Sequence, residues 1–153
     1  METETDALVI GAGPAGLMAA GELARAGLRV LVTEAKPSVG RKFLMAGKSG
    51  LNLTMDAPPD DLLGRYGTAA EPLALMIRDF DAQAVMRWAA GLGQPVFTGS
   101  TGRVFPVTMK ASPLLRAWLA ELGALGVQLR TRWRWTGWDG PDCLFATADG
   151  EAR

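Results

Sequence analysis

Gly11-Ala12-Gly13-Pro14-Ala15-Gly16 follows directly on the uninterrupted apolar run Ala7-Leu8-Val9-Ile10, and no other junction constrains the fold as much. A short apolar run closed by glycine predicts a strand buried on both faces of a parallel sheet. Gly11 permits the tight turn out of that strand. Gly13 lets the backbone approach a ligand with no Cβ in the way, and Gly16 lets the following helix pack closely on the strand. From Pro14 to Ala26 the residues are good helix formers, with Leu17, Ala20, Leu23 and Ala24 on one face, and Gly27 ends the helix. Arg29 to Thr33 is a second β-rich run. Strand, helix and strand in so few residues predict a right-handed βαβ unit with adjacent parallel strands.

The spacing also says what the turn is for. A helix that starts immediately after such a loop directs unpaired N–H groups and a positive dipole end at whatever sits there, which suits a pyrophosphate. Glu34, at the end of the second strand, is placed to accept hydrogen bonds from the hydroxyls of an adenosine ribose, and its charge repels a 2′-phosphate. FAD or NAD is therefore expected in preference to NADP. Pro14, Ala15 and Ala35 complete the cofactor-binding candidates around Gly11, Gly13, Gly16 and Glu34. The glycine pattern alone leaves a second reading open, a non-catalytic or NAD-binding module.

Beyond the βαβ unit, residues 36–53 hold glycines and lysines without a clean period, and residues 56–93 read as helical. Asp81 is placed as an N-cap, with Phe80 set to staple onto Val85, and Val85, Trp88, Ala89 and Leu92 recur at helical spacing. Extended pieces are expected over 95–98 and 103–106. Ser112 is placed to cap a helix with Pro113 at its first position and Leu114, Leu115, Trp118, Leu119 and Leu122 on its apolar face. A third parallel strand is expected over Val127 to Arg130. Trp133 to Trp138 and Cys143 to Ala148 read as two arms of a meander joined through Asp139-Gly140-Pro141. Asp149-Gly150-Glu151 is a turn signal with no strand after it, so we expect the front part of a longer protein, truncated at its C-terminus. Trp88 and Trp118 are expected in cores, and Cys143 as an inert buried thiol.

Composition narrows the function classes. The 153 residues carry 16 basic and 16 acidic side chains, one cysteine and no histidine. Balanced charge leaves no footprint for a nucleic acid backbone. Arg130, Arg132 and Arg134 alternate with Thr131, Trp133 and Trp135, which reads more simply as a strand with tryptophans on a covered face and arginines on a wet one. With one cysteine and no histidine there is neither a disulfide nor a conventional zinc site, and no Ser-His or Cys-His machinery. Ala46-Gly47-Lys48-Ser49-Gly50 lacks the earlier glycine of a P-loop, because position 42 is lysine. The acidic start of the chain is unlike a secretory signal, and the uncharged run from Ala7 to Gly21 is too short and glycine-rich to span a bilayer. We expect a cytoplasmic protein, and we read the sequon Asn52-Leu53-Thr54 as chance.

Two further blocks carry a family resemblance. Gly40-Arg41-Lys42-Phe43-Leu44-Met45-Ala46-Gly47-Lys48-Ser49-Gly50-Leu51-Asn52-Leu53-Thr54 resembles the second signature of the BaiN/RdsA (YhiN-like) family of NAD(P)/FAD-dependent oxidoreductases. Gly102-Arg103-Val104-Phe105-Pro106, with Met109-Lys110-Ala111-Ser112-Pro113, resembles that family's next block. Ser49 and Met55-Asp56-Ala57 depart from the family pattern. The resemblance implies an α/β, Rossmann-like FAD/NAD(P)-binding domain with a parallel sheet, a crossover helix and a β-meander. It would be built from residues 1–55 and 111–153, with a mainly helical insertion over 56–110 and the substrate domain absent from this chain. It implies FAD as cofactor and hydride transfer as the reaction type, with NAD(P)H as candidate electron donor and a small molecule as substrate. It places Arg41 and Lys42 against the FAD ribose and phosphates, and Asn52 as a polar contact of the flavin. It identifies no catalytic residue.

Overall fold

The computed structural model describes residues 4–153, so the Met1-Glu2-Thr3 part of the acidic start lies outside the described residues. In chain order the first elements are β1 (Ala7–Ile10), α1 (Pro14–Arg25), β2 (Val30–Glu34), α2 (Arg41–Ala46), β3 (Thr54–Met55) and α3 (Pro59–Leu63). A 3-10 segment, Gly64–Ala69, leads to α4 (Ala70–Asp79), α5 (Ala82–Gly91), β4 (Val96–Thr98), β5 (Arg103–Pro106) and α6 (Ala111–Ala124). The chain closes with β6 (Gln128–Thr131), β7 (Arg134–Asp139), β8 (Asp142–Thr147) and β9 (Gly150–Ala152). No helix among the described residues is long and apolar enough to cross a membrane.

Two compact units result. One takes the residues up to Phe43 together with Trp118–Arg153, and the other takes Leu44–Ala117.

The first unit is a Rossmann-type layer structure. Its parallel sheet has the order β1-β2-β6, with Ile10 beside Thr33 and Glu34 beside Thr131. Side chains alternate between the faces of a sheet, so Leu8 with Leu31 and Val9 with Val32 mark opposite faces. α1 covers the Val9 face. A Cβ on Gly16 would stand 3.2 Å from the Val9 side chain, and one on Gly21 would stand 3.3 Å from Leu122. Leu17, Val32 and Leu122 are fully buried there, each contributing on the order of 1.5–3 kcal/mol through loss of apolar surface to water. Trp118 is buried beside them, with the Phe43 ring edge-on at a centroid distance of 6.3 Å. Leu8 and Leu31 instead line a cavity of about 340 Å³ with Trp133 and Phe145, so the antiparallel meander β7-β8-β9 covers the other face.

The second unit pairs β5 with β4 on one edge and with β3 on the other, both antiparallel. Asp81 caps α5 as its sequence position predicts, accepting the Ala84 N–H at 2.8 Å. The Phe80 ring, however, stays 44% exposed rather than closing a staple.

Several expectations change. Residues 41–46 are helical, a stretch too short to show a period. α6 starts at Ala111, so Ser112 lies inside the first turn rather than capping it, and the third parallel strand runs one residue later than expected. The turn at Asp149-Gly150 does introduce a strand: β9 pairs with β8, three residues that no pattern search would register. The alternating arginines and tryptophans are not one strand. Arg132 takes a left-handed φ of 61° and ends the parallel strand, and Arg134 opens the meander. Trp135 is consequently 42% exposed, whereas Trp133 packs on Phe145 at 5.5 Å. Trp88 and Cys143 are half-buried.

Candidate functional site

The carboxyl ends of β1, β2 and β6 lie side by side, the place where open α/β sheets bind ligands. Gly11 leaves β1 at φ 106°, a conformation that strains any residue with a Cβ, while its N–H still donates to the Thr33 carbonyl at 2.7 Å. Gly13 is the N-cap of α1. Its extended backbone offers no side-chain cap, Pro14 occupies the first turn, and that turn contains no acidic residue. The N–H groups at this helix start therefore face outward without a side-chain partner, and the dipole leaves a positive end.

The three glycines have different steric roles. A Cβ on Gly16 would sit 2.0 Å from the Gly11 carbonyl oxygen, so the turn closes only around glycine. A Cβ on Gly13 would meet no atom within 4 Å. The protein itself does not need glycine at position 13; the open space beside it suits a group brought from outside, as a pyrophosphate would be. Pro14 and Ala15 are exposed at the helix start, and Ala35 is exposed just past β2.

Glu34 joins this loop through its side chain. One carboxylate oxygen accepts the Ala12 N–H at 3.1 Å and the other accepts the Lys36 N–H at 2.8 Å. The Ala12 carbonyl in turn accepts the Gly40 N–H at 2.9 Å, with Gly40 buried and at φ 62°. Ala12, Lys36 and Gly40 thus belong to the site through their backbones. Of these, Ala12 lies inside the glycine motif and Gly40 heads the second signature, while Lys36 carried no sequence signal. Arg41 and Lys42 follow at the exposed start of α2, where the Arg41 guanidinium reaches Ser38 Oγ at 3.3 Å.

Asn52 belongs to the second unit. It is exposed on a loop whose flanking residues are both tied, Leu51 N–H to the Met109 carbonyl at 3.0 Å and Leu53 N–H to the Val104 carbonyl at 2.9 Å. A Cβ on Gly47 would lie 2.5 Å from that of Ala111, and one on Gly50 would lie 2.9 Å from the Met109 methyl. The second and third sequence blocks therefore meet in space, and the glycines of one make room for the other.

Strong charge perturbation lies elsewhere. At the opposite, N-terminal ends of the strands, Arg29 donates hydrogen bonds to Asp6 and lowers its carboxyl to about 2, and Asp6 raises the Arg29 guanidinium in return. Burial, with the neighbouring Asp142 charge, pushes the Cys143 thiol up, the wrong direction for a nucleophile.

Comparison with known proteins agrees with this geometry. The profile of the HI0933-like protein Rossmann domain matches residues 5–151. A digeranylgeranylglycerophospholipid reductase of Methanosphaerula palustris is 55% identical over 53 residues, 35% of this chain and 13% of the relative. A hydroxyneurosporene desaturase of Rhodobacter capsulatus is 36% identical over 117 residues, 68% of this chain and 22% of the relative. The chain thus spans under a quarter of either relative's length. Among solved structures, 3-ketosteroid-delta4-(5alpha)-dehydrogenase from Rhodococcus jostii superposes with a TM-score of 0.70 at 17% identity, over 99% of this chain and 43% of that one. A flavocytochrome c3 fumarate reductase superposes with a TM-score of 0.67 at 18% identity, over 96% and 31%.

Proposed function

The chain belongs to the HI0933-like Rossmann-domain family, and from that premise we propose that it binds FAD and forms the cofactor-binding part of a flavin-dependent oxidoreductase. The observation that carries this is the α1 start, where Gly13 leaves open space before uncapped N–H groups while Glu34 is held beside the same loop. In this reading the Gly13-Pro14-Ala15-Gly16 turn receives the pyrophosphate, and Glu34, with Ala35 beside it, receives the adenosine ribose. Arg41 and Lys42 supply positive charge toward the ribose and phosphates. Asn52 is proposed as a polar contact of the flavin ring.

When bound, FAD supplies hydride acceptance and donation, and this chain's residues contribute binding and orientation. NAD(P)H is the proposed electron donor and a small molecule the proposed substrate. The protein is proposed to work in the cytoplasm without a nucleic acid or membrane partner; the equal numbers of acidic and basic residues argue against a nucleic acid backbone as partner.

Titration with FAD, followed by flavin fluorescence and absorption, tests the reading. Saturable uptake that excess NAD does not displace is expected. A colourless protein that binds NAD and not FAD would replace it with the NAD-binding module.

A further inference from the structure

The strand order sets an order of subsites along the carboxyl edge of the parallel sheet, and one residue there has no role in the reading above. With the pyrophosphate at the loop after β1 and the ribose at the end of β2, the next group along the ligand extends toward the end of β6. Arg132 stands there. Its N–H donates to the Lys36 carbonyl at 3.1 Å, and the next N–H, of Trp133, donates to the Glu34 carbonyl at 3.0 Å. The Arg132 backbone is therefore fixed against the residue proposed to hold the ribose.

Arg132 is also strained. Its φ of 61° is left-handed, a conformation that glycine takes freely and arginine does not, and here it marks the exit from the sheet into the meander. Glycine would make the same turn at lower cost. The side chain is exposed at the carboxyl end of the sheet. A planar cation on a strained, backbone-anchored residue at the third strand end suits the face of a purine base.

We propose that Arg132 is a specificity-determining residue for the adenine of the dinucleotide, its guanidinium stacking on the base. This rests on the dinucleotide reading above. Arg132→Gly removes the side chain and relieves the backbone, so it separates the two roles. Binding of FAD, AMP and FMN is measured for wild type, Arg132→Gly and Arg132→Lys, with thermal midpoints taken without ligand. The expected result is about tenfold weaker FAD and AMP binding in both variants, unchanged FMN binding, and a midpoint in Arg132→Gly no lower than wild type. FAD and AMP affinities within twofold of wild type in Arg132→Gly would show that the residue only makes the turn and would overturn the proposal. Wild-type affinity in Arg132→Lys would assign the effect to charge rather than stacking and overturn it too. Should Arg132→Gly lower the midpoint, Arg132→Asn, which also accepts the left-handed region, decides by the same criterion. Wild-type protein that binds neither FAD nor AMP would defeat the dinucleotide reading itself, an outcome distinct from the others.

Discussion

The Glu34 carboxylate accepts the backbone N–H of Ala12 at 3.1 Å, across 22 residues of chain. Its second oxygen accepts the Lys36 N–H at 2.8 Å, and the Ala12 carbonyl accepts from Gly40. Ala12, in the middle of the glycine loop, is thus held through both of its backbone polar groups, which lie in two successive peptide units. Glu34 therefore fixes the shape of the glycine loop, and under the proposed dinucleotide reading that lowers the cost of ordering the loop on binding.

Glu34→Gln keeps the size of the side chain but leaves one of the two backbone donors facing an amide NH₂. Hydrogen bonds to charged groups contribute on the order of 1.5–3 kcal/mol, so the expected outcome is faster amide exchange at Ala12 or Lys36 and about tenfold or weaker FAD binding. Hydrogen exchange resolved at those two amides checks it. Unchanged protection at both would detach Glu34 from the loop.

Gly16→Ala tests the steric side of the same turn. The new Cβ would fall 2.0 Å from the Gly11 carbonyl oxygen, a backbone atom that moves only if the turn opens. A loss of about 3 kcal/mol or more is expected, with a clear drop in the thermal midpoint. Gly64→Ala, at a site where a Cβ meets nothing within 4 Å, serves as the control.

The Asp6–Arg29 pair predicts a pH dependence. The Asp6 carboxyl is lowered to about 2 by the Arg29 side chain and backbone N–H, from an ordinary value of 3.8. A depressed carboxylate contributes its stability above the unfolded-state value and loses it as pH falls through the folded one. The midpoint difference between wild type and Asp6→Asn is therefore near constant at pH 5 to 7, shrinks as pH falls below about 4 and is gone only once the pH lies below the folded value of about 2. Both side chains are exposed to solvent, so the difference is also expected to shrink in high salt. A difference that stayed the same from pH 7 to pH 2 would show that the ion pair does not stabilise the fold.

What was legible in the sequence follows from where the constraint resides. The glycine loop, α1, β2 with Glu34 at its end, and the existence of β1 were readable because each rests on residue type at fixed spacing, and the Asp81 cap for the same reason. The burial expected for β1 on both faces was not met, since β1 lies at the edge of the β1-β2-β6 sheet and Ile10 is 48% exposed. The sheet of Thr54–Met55, Val96–Thr98 and Arg103–Pro106 was only partly visible, since strands of two to four residues carry no period. The break at Arg132 was hidden because a left-handed turn there uses arginine where glycine would have announced it. The clamp on Ala12 was hidden for a different reason: it is made by a peptide group, and peptide groups are the same at every position.

Gly13→Val is the sharpest test of the site because the fold and the ligand make opposite demands on it. Gly13 has φ −85°, which any L-residue adopts, and its Cβ direction is empty to 4 Å. The protein should therefore accept valine sterically; valine is a poorer N-cap than glycine, so the thermal midpoint should fall by a few degrees and no more. In the proposed reading the isopropyl group competes with a pyrophosphate for the open space beside the start of α1. FAD and ADP binding should fall at least a hundredfold, while the far-UV circular dichroism stays that of wild type. Retained affinity in a folded Gly13→Val protein would mean that the phosphates bind elsewhere on the molecule, and the role of the glycine loop would reduce to packing α1 against β1.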